Sequence, residues 1–238
     1  RDTVDAGRVP RGVGEPVGPQ RSPAAVRECH LHESLLNTAF GRPDAAPWQL
    51  LCPYDTGALD PGVLALARTT HPFVDDDVSG AHHHVDGMSV FADPLPEPPA
   101  EVPVSTVEFD ETTLRLIRQA VRAACEETGL RERCADIVLA VNEAATNSTR
   151  HGGGRGTFRT WRDGDCLVFE VVDHGRIGDP LVGRVEPPRS QIGGRGLWLC
   201  NQLCDLVQLH SSPAGTAVRL HVDLLAADRP ATAGYVST

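Results

Sequence analysis

The C-terminal half of this 238-residue chain predicts an α+β domain. Three observations carry that reading. Two patterns of helical period follow one another between Glu111 and Arg150. A strand–turn–strand pattern comes next, and a short helical run then leads into two further strands that end before Asp223.

Asp110 offers an N-cap for a helix from Glu111 to about Thr128, with Leu114, Ile117, Val121 and Ala124 as its buried stripe. A second helix is expected from about Arg131 to Arg150, ended by Gly152, Gly153, Gly154 and Gly156. Strands at Thr157–Arg162 and Cys166–Val172 are joined as a hairpin by Asp163-Gly164-Asp165. A loop rich in Gly, Pro and Arg covers Asp173 to Gly194, and a short helix follows from Gly196 to Leu203. The last strands, Leu206–His210 and Ala217–Val222, flank Pro213-Ala214-Gly215. The domain is bounded at 106–224, and residues 225–238 are read as a disordered tail.

Upstream, residues 75–105 read as a linker. They hold an acidic run (Asp75, Asp76, Asp77), a His triplet (His82, His83, His84) and the prolines Pro94, Pro96, Pro98, Pro99 and Pro103. Such a stretch buries too little apolar surface to offset its ordering entropy. A flexible segment with a semi-extended proline part is expected. The His triplet is a candidate metal ligand set without a rigid frame. Residues 1–74 are mixed in composition and contain helical patterns.

Composition bounds the function. Hydrophobic residues make up 40% but aromatics only 5%, so Leu, Val and Ala must fill the core. A formal charge of −10 and a pI of about 5.4 argue against direct nucleic-acid binding, which needs a basic face to displace counterions. Seven cysteines occur without a CxxC pair. Cys200 and Cys204 are one helical turn apart, but two thiols alone make a poor zinc site. Buried, reduced thiols in a cytoplasmic protein are the expectation. No apolar run approaches the roughly 20 residues of a membrane helix, so no membrane partner is expected, and no leader pattern is read.

The second helix carries the most chemical information. With Val141 at the centre of its buried stripe, Cys134, Ile137, Val138, Ala145 and Ser148 fall within about 60° of it. Glu143 and Asn147 fall on the other side, one turn apart. An ordinary solvated face also looks like this. Here, however, Glu143 is the only charge between Ile137 and Asn147, Leu139 is apolar, and Ala140 and Ala144 are small. That surface suits the wall of a site. An amide oxygen is a hard ligand for a phosphate-bound Mg²⁺, and a carboxylate one turn away can orient or deprotonate a group attacking a γ-phosphate.

Three further features point the same way, each weak by itself. Asp173 follows directly on an apolar strand and precedes Gly175 and Gly178; a carboxylate there can accept from an adenine amino group. Gly193-Gly194-Arg195-Gly196-Leu197 opens a helix, where backbone N–H groups approach phosphate oxygens. It is not a P-loop, because no Lys-Ser/Thr follows. Thr216 puts a hydroxyl at the turn into the last strand.

In this order the motifs resemble the GHKL superfamily of ATP-binding proteins, which includes gyrase, a class of heat-shock chaperones, histidine kinases and mismatch-repair ATPases. Leu139 to Asn147 with His151-Gly152 looks like its N box, Asp173–Gly178 like the first glycine box and Gly194–Leu199 like the second. The compact size and the Glu-Ala-x-x-Asn form are similar to the anti-sigma-factor serine kinases. The resemblance implies a Bergerat-type two-layer sandwich, with a mixed, mostly antiparallel sheet covered by helices on one face. It implies ATP and Mg²⁺ as cofactors, Glu143 as general base and Asn147 as the metal ligand. It implies Asp173 and Thr216 around adenine, and Arg150, Gly175, Gly178, Gly194, Arg195, Gly196 and Leu197 around the nucleotide. A sigma factor, an antagonist protein and a homodimer would be the partners. One departure stands out: Ile177 occupies the place where the family's second glycine is expected, and Gly178 comes one residue later.

The N-terminal part, from Arg21-Ser22-Pro23 through Glu28 to Asn37, Leu51 to Asp55 and His71-Pro72, resembles the C-terminal half of a MEDS sensory domain. Cys29, His30 and His32 are either ligand-binding or polar packing on a helix. Two other functions stay open beside the serine kinase: a nucleotide-dependent binding module without phosphoryl transfer, and a histidine kinase-like protein. The proline-rich stretch before Thr106 leaves no room there for the helical pair that carries a phospho-accepting His.

Overall fold

The computed structural model describes residues 9–41, 47–74, 85–188 and 194–225. The His triplet, the acidic run, Gly193 and all of the expected tail beyond Leu225 lie outside the described residues. The chain divides into two compact units, Arg1–Phe91 and Ala92–Thr238.

The first unit contains β1 (Arg11–Val13), α1 (Pro23–Phe40), β2 (Gln49–Leu51), α2 (Pro61–Thr70) and α3 (Gly87–Phe91). Strands β1 and β2 pair in parallel. Both longer helices begin at a proline behind a capping side chain. Ser22 Oγ accepts from the N–H of Ala25 at 3.2 Å, and Asp60 Oδ1 from Gly62 at 2.7 Å. Inside the unit, the Glu33 carboxylate accepts from the Tyr54 hydroxyl and, at 2.9 Å, from Thr70 Oγ1. Cys29 donates to the Pro16 carbonyl at 3.1 Å. Among the described residues no group of His, Cys, Asp and Glu is arranged to hold a metal. The bond to Pro16 is a polar contact within the unit.

The second unit is the expected α+β sandwich. It runs β3 (Ser105–Asp110), α4 (Leu114–Glu127), α5 (Cys134–His151), β4 (Arg155–Asp163), β5 (Cys166–Asp173), α6 (Gly196–Leu203), β6 (Leu206–Ser212) and β7 (Gly215–Asp223). The sheet order is β3-β4-β5-β7-β6. Every ladder is antiparallel, where a mixed sheet was expected. Helices α4, α5 and α6 pack on the sheet. The alternating residues Phe109, Phe158, Phe169, Val171, Leu220 and Val222 form its buried apolar layer.

Three local expectations change. Asp110 caps a turn, not the helix: its Oδ1 accepts from the N–H groups of Thr112 and Thr113 at 2.9 and 3.1 Å, and α4 starts at Leu114. The buried stripe of α4 ends on Cys125 where Ala124 was expected. Strand β3 was not anticipated, although Val107 and Phe109 alternate with polar neighbours in its six residues.

The proline-rich stretch is also more engaged than a free linker. Residues from Ala92 belong to the second unit. The carbonyl of Pro96 accepts from Arg219 at 2.9 Å, and Glu97 pairs with Arg159 at 2.7 Å. Proline's fixed φ lowers the entropy lost on docking such a segment.

Candidate functional site

The site is built where α5, the end of β5 and the start of α6 meet. Helix α5 is buried on more than one side. Ile137, Val138, Val141, Ala145 and Ser148 are buried, as the periodicity requires. Ala140 and Ala144 are buried too, at 0% and 1% exposure. The reason is α6, whose Cys200 Sγ donates to the Ala140 carbonyl at 3.3 Å. The small residues expected to line an open wall thus form a close helix–helix contact. Glu143 and Asn147 sit at its rim, half-buried, and Leu139, one turn earlier, is 42% exposed. Burial, and next the nearby Glu143 charge, push the Cys200 thiol up to about 12, so it remains a protonated donor.

Helix α6 begins against this pair. A methyl group on Gly196 would lie 2.7 Å from Glu143 Oε2 and 3.2 Å from Asn147 Nδ2. A side chain there would have to displace the ends of Glu143 and Asn147. Arg195, the N-cap of α6, makes no side-chain capping bond. The first-turn N–H groups of a helix have no intrahelical partner and suit an anion or solvent.

Asp173 anchors the other end. Its Oδ2 accepts from Ser148 Oγ at 2.5 Å and its Oδ1 from the N–H of Gly175 at 2.7 Å. Gly152 packs against the carboxylate, where a Cβ would come within 2.3 Å of its Cγ. The turn after β5 is tied down by hydroxyls. Thr216 Oγ1 donates to the Gly175 carbonyl at 3.0 Å and shares a hydrogen bond with Ser211 Oγ at 2.8 Å. Ser211 in turn accepts from the N–H of Ile177 at 2.8 Å. The strand registers pair Asp173 with Thr216 and Thr216 with Ser211. These three make a polar row at the end of an otherwise apolar layer.

The remaining sequence-predicted residues divide. Gly175 cannot carry a side chain, because the His151 carbonyl lies 2.7 Å from the Cβ position. Gly194 has φ of 74°, which favours glycine. Gly178 has open space around it. Leu197 is buried under Gly183, so it contributes to the core beside the site. Arg195 donates to the Pro188 carbonyl at 3.2 Å and so fastens the base of the intervening loop. Arg150 is exposed in the last turn of α5.

Sequence reading did not place Ser148 or Ser211 in the site. Ser148 was counted in the buried stripe, where a hydroxyl is the one polar side chain. That mismatch was the available signal. Ser211 lies near the end of β6, five residues before Thr216 across the hairpin, so the predicted hydroxyl of Thr216 was its local signal, while its other partner, Ile177, is 34 residues away.

Residues 107–222 match the histidine kinase-like ATPase domain family. The match runs from β3 to β7, nearly the whole described sandwich. The crystal structure of the RsbU and RsbW domains of Rv1364c from Mycobacterium tuberculosis is similar over 51% of the chain, at 21% identity and a TM-score of 0.40. The chain covers 32% of that structure's length. The histidine kinase AdeS of Acinetobacter baumannii is similar over 83% of this chain and 95% of its own, at 11% identity and a TM-score of 0.30. Both scores are too low to bear on function. No curated protein matches the chain. Among the described residues no helix is long and apolar enough to cross a membrane.

Proposed function

We propose that the ATPase-like domain binds Mg-ATP and transfers its γ-phosphoryl group to a serine or threonine of an antagonist protein, as a cytoplasmic regulator that also holds a sigma factor. The observation that carries this reading is the approach of Gly196 to Glu143 and Asn147. It brings a carboxylate, an amide and an uncapped helix start to one point. The donor set fits the cofactors. Asn147 offers one neutral oxygen to a hard cation already held by phosphates, and the first turn of α6 offers N–H groups to those phosphates. Bound Mg²⁺ neutralises charge on the triphosphate.

The chain's own residues divide the remaining work. Asp173, oriented by Ser148 and Gly175, accepts from the amino group of adenine. Glu143 takes the proton of the attacking hydroxyl as its oxygen bonds to the γ-phosphorus, the bond to the β-phosphate oxygen breaks and ADP leaves. The resemblance also supports a homodimer, and a sensory role for the first unit.

Calorimetry with Mg-ATP on the intact chain tests the pocket. Asp173→Asn should weaken binding by about 100-fold, the worth of a charge-assisted hydrogen bond. Asn147→Ala should weaken the Mg complex more than free ADP. Glu143→Ala should bind normally and transfer nothing. Undiminished transfer in that variant would remove Glu143 from the chemistry, and absence of nucleotide binding in the intact chain would leave a partner-binding module.

A further inference from the structure

We propose that Ser211 is a positioning residue for the nucleotide: its hydroxyl pins the turn 173–178 from behind and holds it in the path that the displaced glycine would otherwise leave undefined. The inference rests on the nucleotide reading of this site. The turn has four fastenings. Gly175 N–H donates to Asp173 itself, His174 N–H donates to the Gly152 carbonyl at 3.3 Å, Thr216 holds the Gly175 carbonyl, and Ser211 holds the Ile177 N–H. The first three all act at or before Gly175. Among the described residues, the fastening on the half of the turn where Ile177 stands is the one from Ser211.

The chemistry of that half explains the need. Ile177 is β-branched and half-buried. A residue with a bulky side chain beside a ligand pocket must be held on one path if its side chain is to stay out of the pocket. Backbone N–H groups that are buried need a partner, and the one given to Ile177 comes from β6, two strands away from β5 in the sheet. Ser211 is 4% exposed and Thr216 is 5% exposed, so the Ser211–Thr216 bond is shielded from competing water. Asp173 lies next to Thr216 in the same row. Ser211 therefore touches no nucleotide but sets both the turn and the hydroxyl that flank the adenine-reading carboxylate.

The test compares three variants of the full chain. Ser211→Ala removes the pin. Ser211→Thr keeps a hydroxyl. Val207→Ala weakens the same strand, where Val207 is buried and makes no contact with the turn through a polar group. Titration with ATP should give Ser211→Ala a Kd about tenfold above the intact chain, the effect of losing two neutral hydrogen bonds. Ser211→Thr should remain within about twofold, and Val207→Ala should bind normally despite a lower Tm. Equal ATP affinity in Ser211→Ala and the intact chain would overturn the proposal. So would a comparable loss in Val207→Ala, because the effect would then be general destabilisation. Amide hydrogen exchange separates this idea from the one it rests on. Loss of protection at the Ile177 N–H in Ser211→Ala shows the pin even without nucleotide, and unchanged protection refutes it. An intact chain that binds no ATP refutes the nucleotide reading instead, and the positioning role with it.

Discussion

Glu170 and Asp173 stand three residues apart on β5, so they project to opposite sides of the sheet. Glu170, away from the helices, is 1% exposed. Its Oε1 accepts from Arg159 and its Oε2 from Arg219, each guanidinium approaching through two nitrogens. Three hydrogen bonds and a fourth nitrogen at ion-pair distance fill most of this carboxylate's acceptor capacity. Arg219 also lies 5.0 Å over the Trp161 ring, and Pro96 and Glu97 close the cluster. Asp173, on the helix side, is half-buried, and the described residues give each of its oxygens one donor. Acceptor capacity remains on both. One strand thus carries a carboxylate that is complete within the fold and one that is oriented but unfilled. Burial by itself does not mark a functional acid; the proposal for Asp173 rests on unfilled acceptor capacity at a fixed position.

The largest expected effect breaks the saturated side. Glu170→Ala leaves the buried Arg219 guanidinium without a counter-charge and Arg159 with Glu97 alone, and should cost about 3–5 kcal/mol of stability. Urea denaturation measures it. A loss below about 1 kcal/mol would mean that water or Glu97 compensates, and the contrast between the two carboxylates would collapse.

A second effect on the same side comes from pH. Burial, and next the charge of Arg219, lower the His221 pKa to about 4, while its Nε2 lies 3.0 Å from Gln208 Oε1. The unfolded chain takes up that proton near pH 6.5. Between those values the unfolded state binds more protons, so stability is full above about pH 6.5 and falls as pH drops towards 4. A shift of this size corresponds to about 3 kcal/mol. Denaturation midpoints at pH 7 and pH 4.5 should differ less in His221→Asn than in the parent chain. An identical pH dependence would remove His221 as the cause.

The smallest effect on stability sharpens the functional side. Gly196→Ala places a methyl against the ends of two flexible side chains, Glu143 and Asn147. Stability should change by less than about 1 kcal/mol, since alanine also favours the helix. Phosphoryl transfer should fall by about tenfold or more, because displacing the carboxylate by a fraction of an ångström spoils its reach. Unchanged transfer would show that Glu143 is not held at that point during the reaction.

Much of the site could be read from sequence because its parts are locally encoded. The Glu143/Asn147 spacing is one helical turn, and a helix brings such residues together wherever it packs. The expected helix from Gly196 to Leu203 is observed with those bounds. The turn at Gly164, with φ of 57°, joins β4 and β5 as its residues require. Other parts were not legible. The burial of Ala140 and Ala144 depends on α6, some 50 residues later, and the edge strand β3 depends on pairing with β4 across the α4 and α5 helices. Ser148 meets Asp173 25 residues away, and Ser211 meets Ile177 34 residues away.

The sequence by itself therefore determined the α+β class of the second unit, most of its elements and the order of its chemical motifs, because periodicity, turn chemistry and helical spacing act within a few residues. Only the tertiary structure decided which face of α5 remained open, which carboxylate of β5 was left with acceptors to spare, and which hydroxyls hold the turn beside it. Those outcomes depend on groups that the chain brings together only after its sheet has formed, and no local window contains both partners.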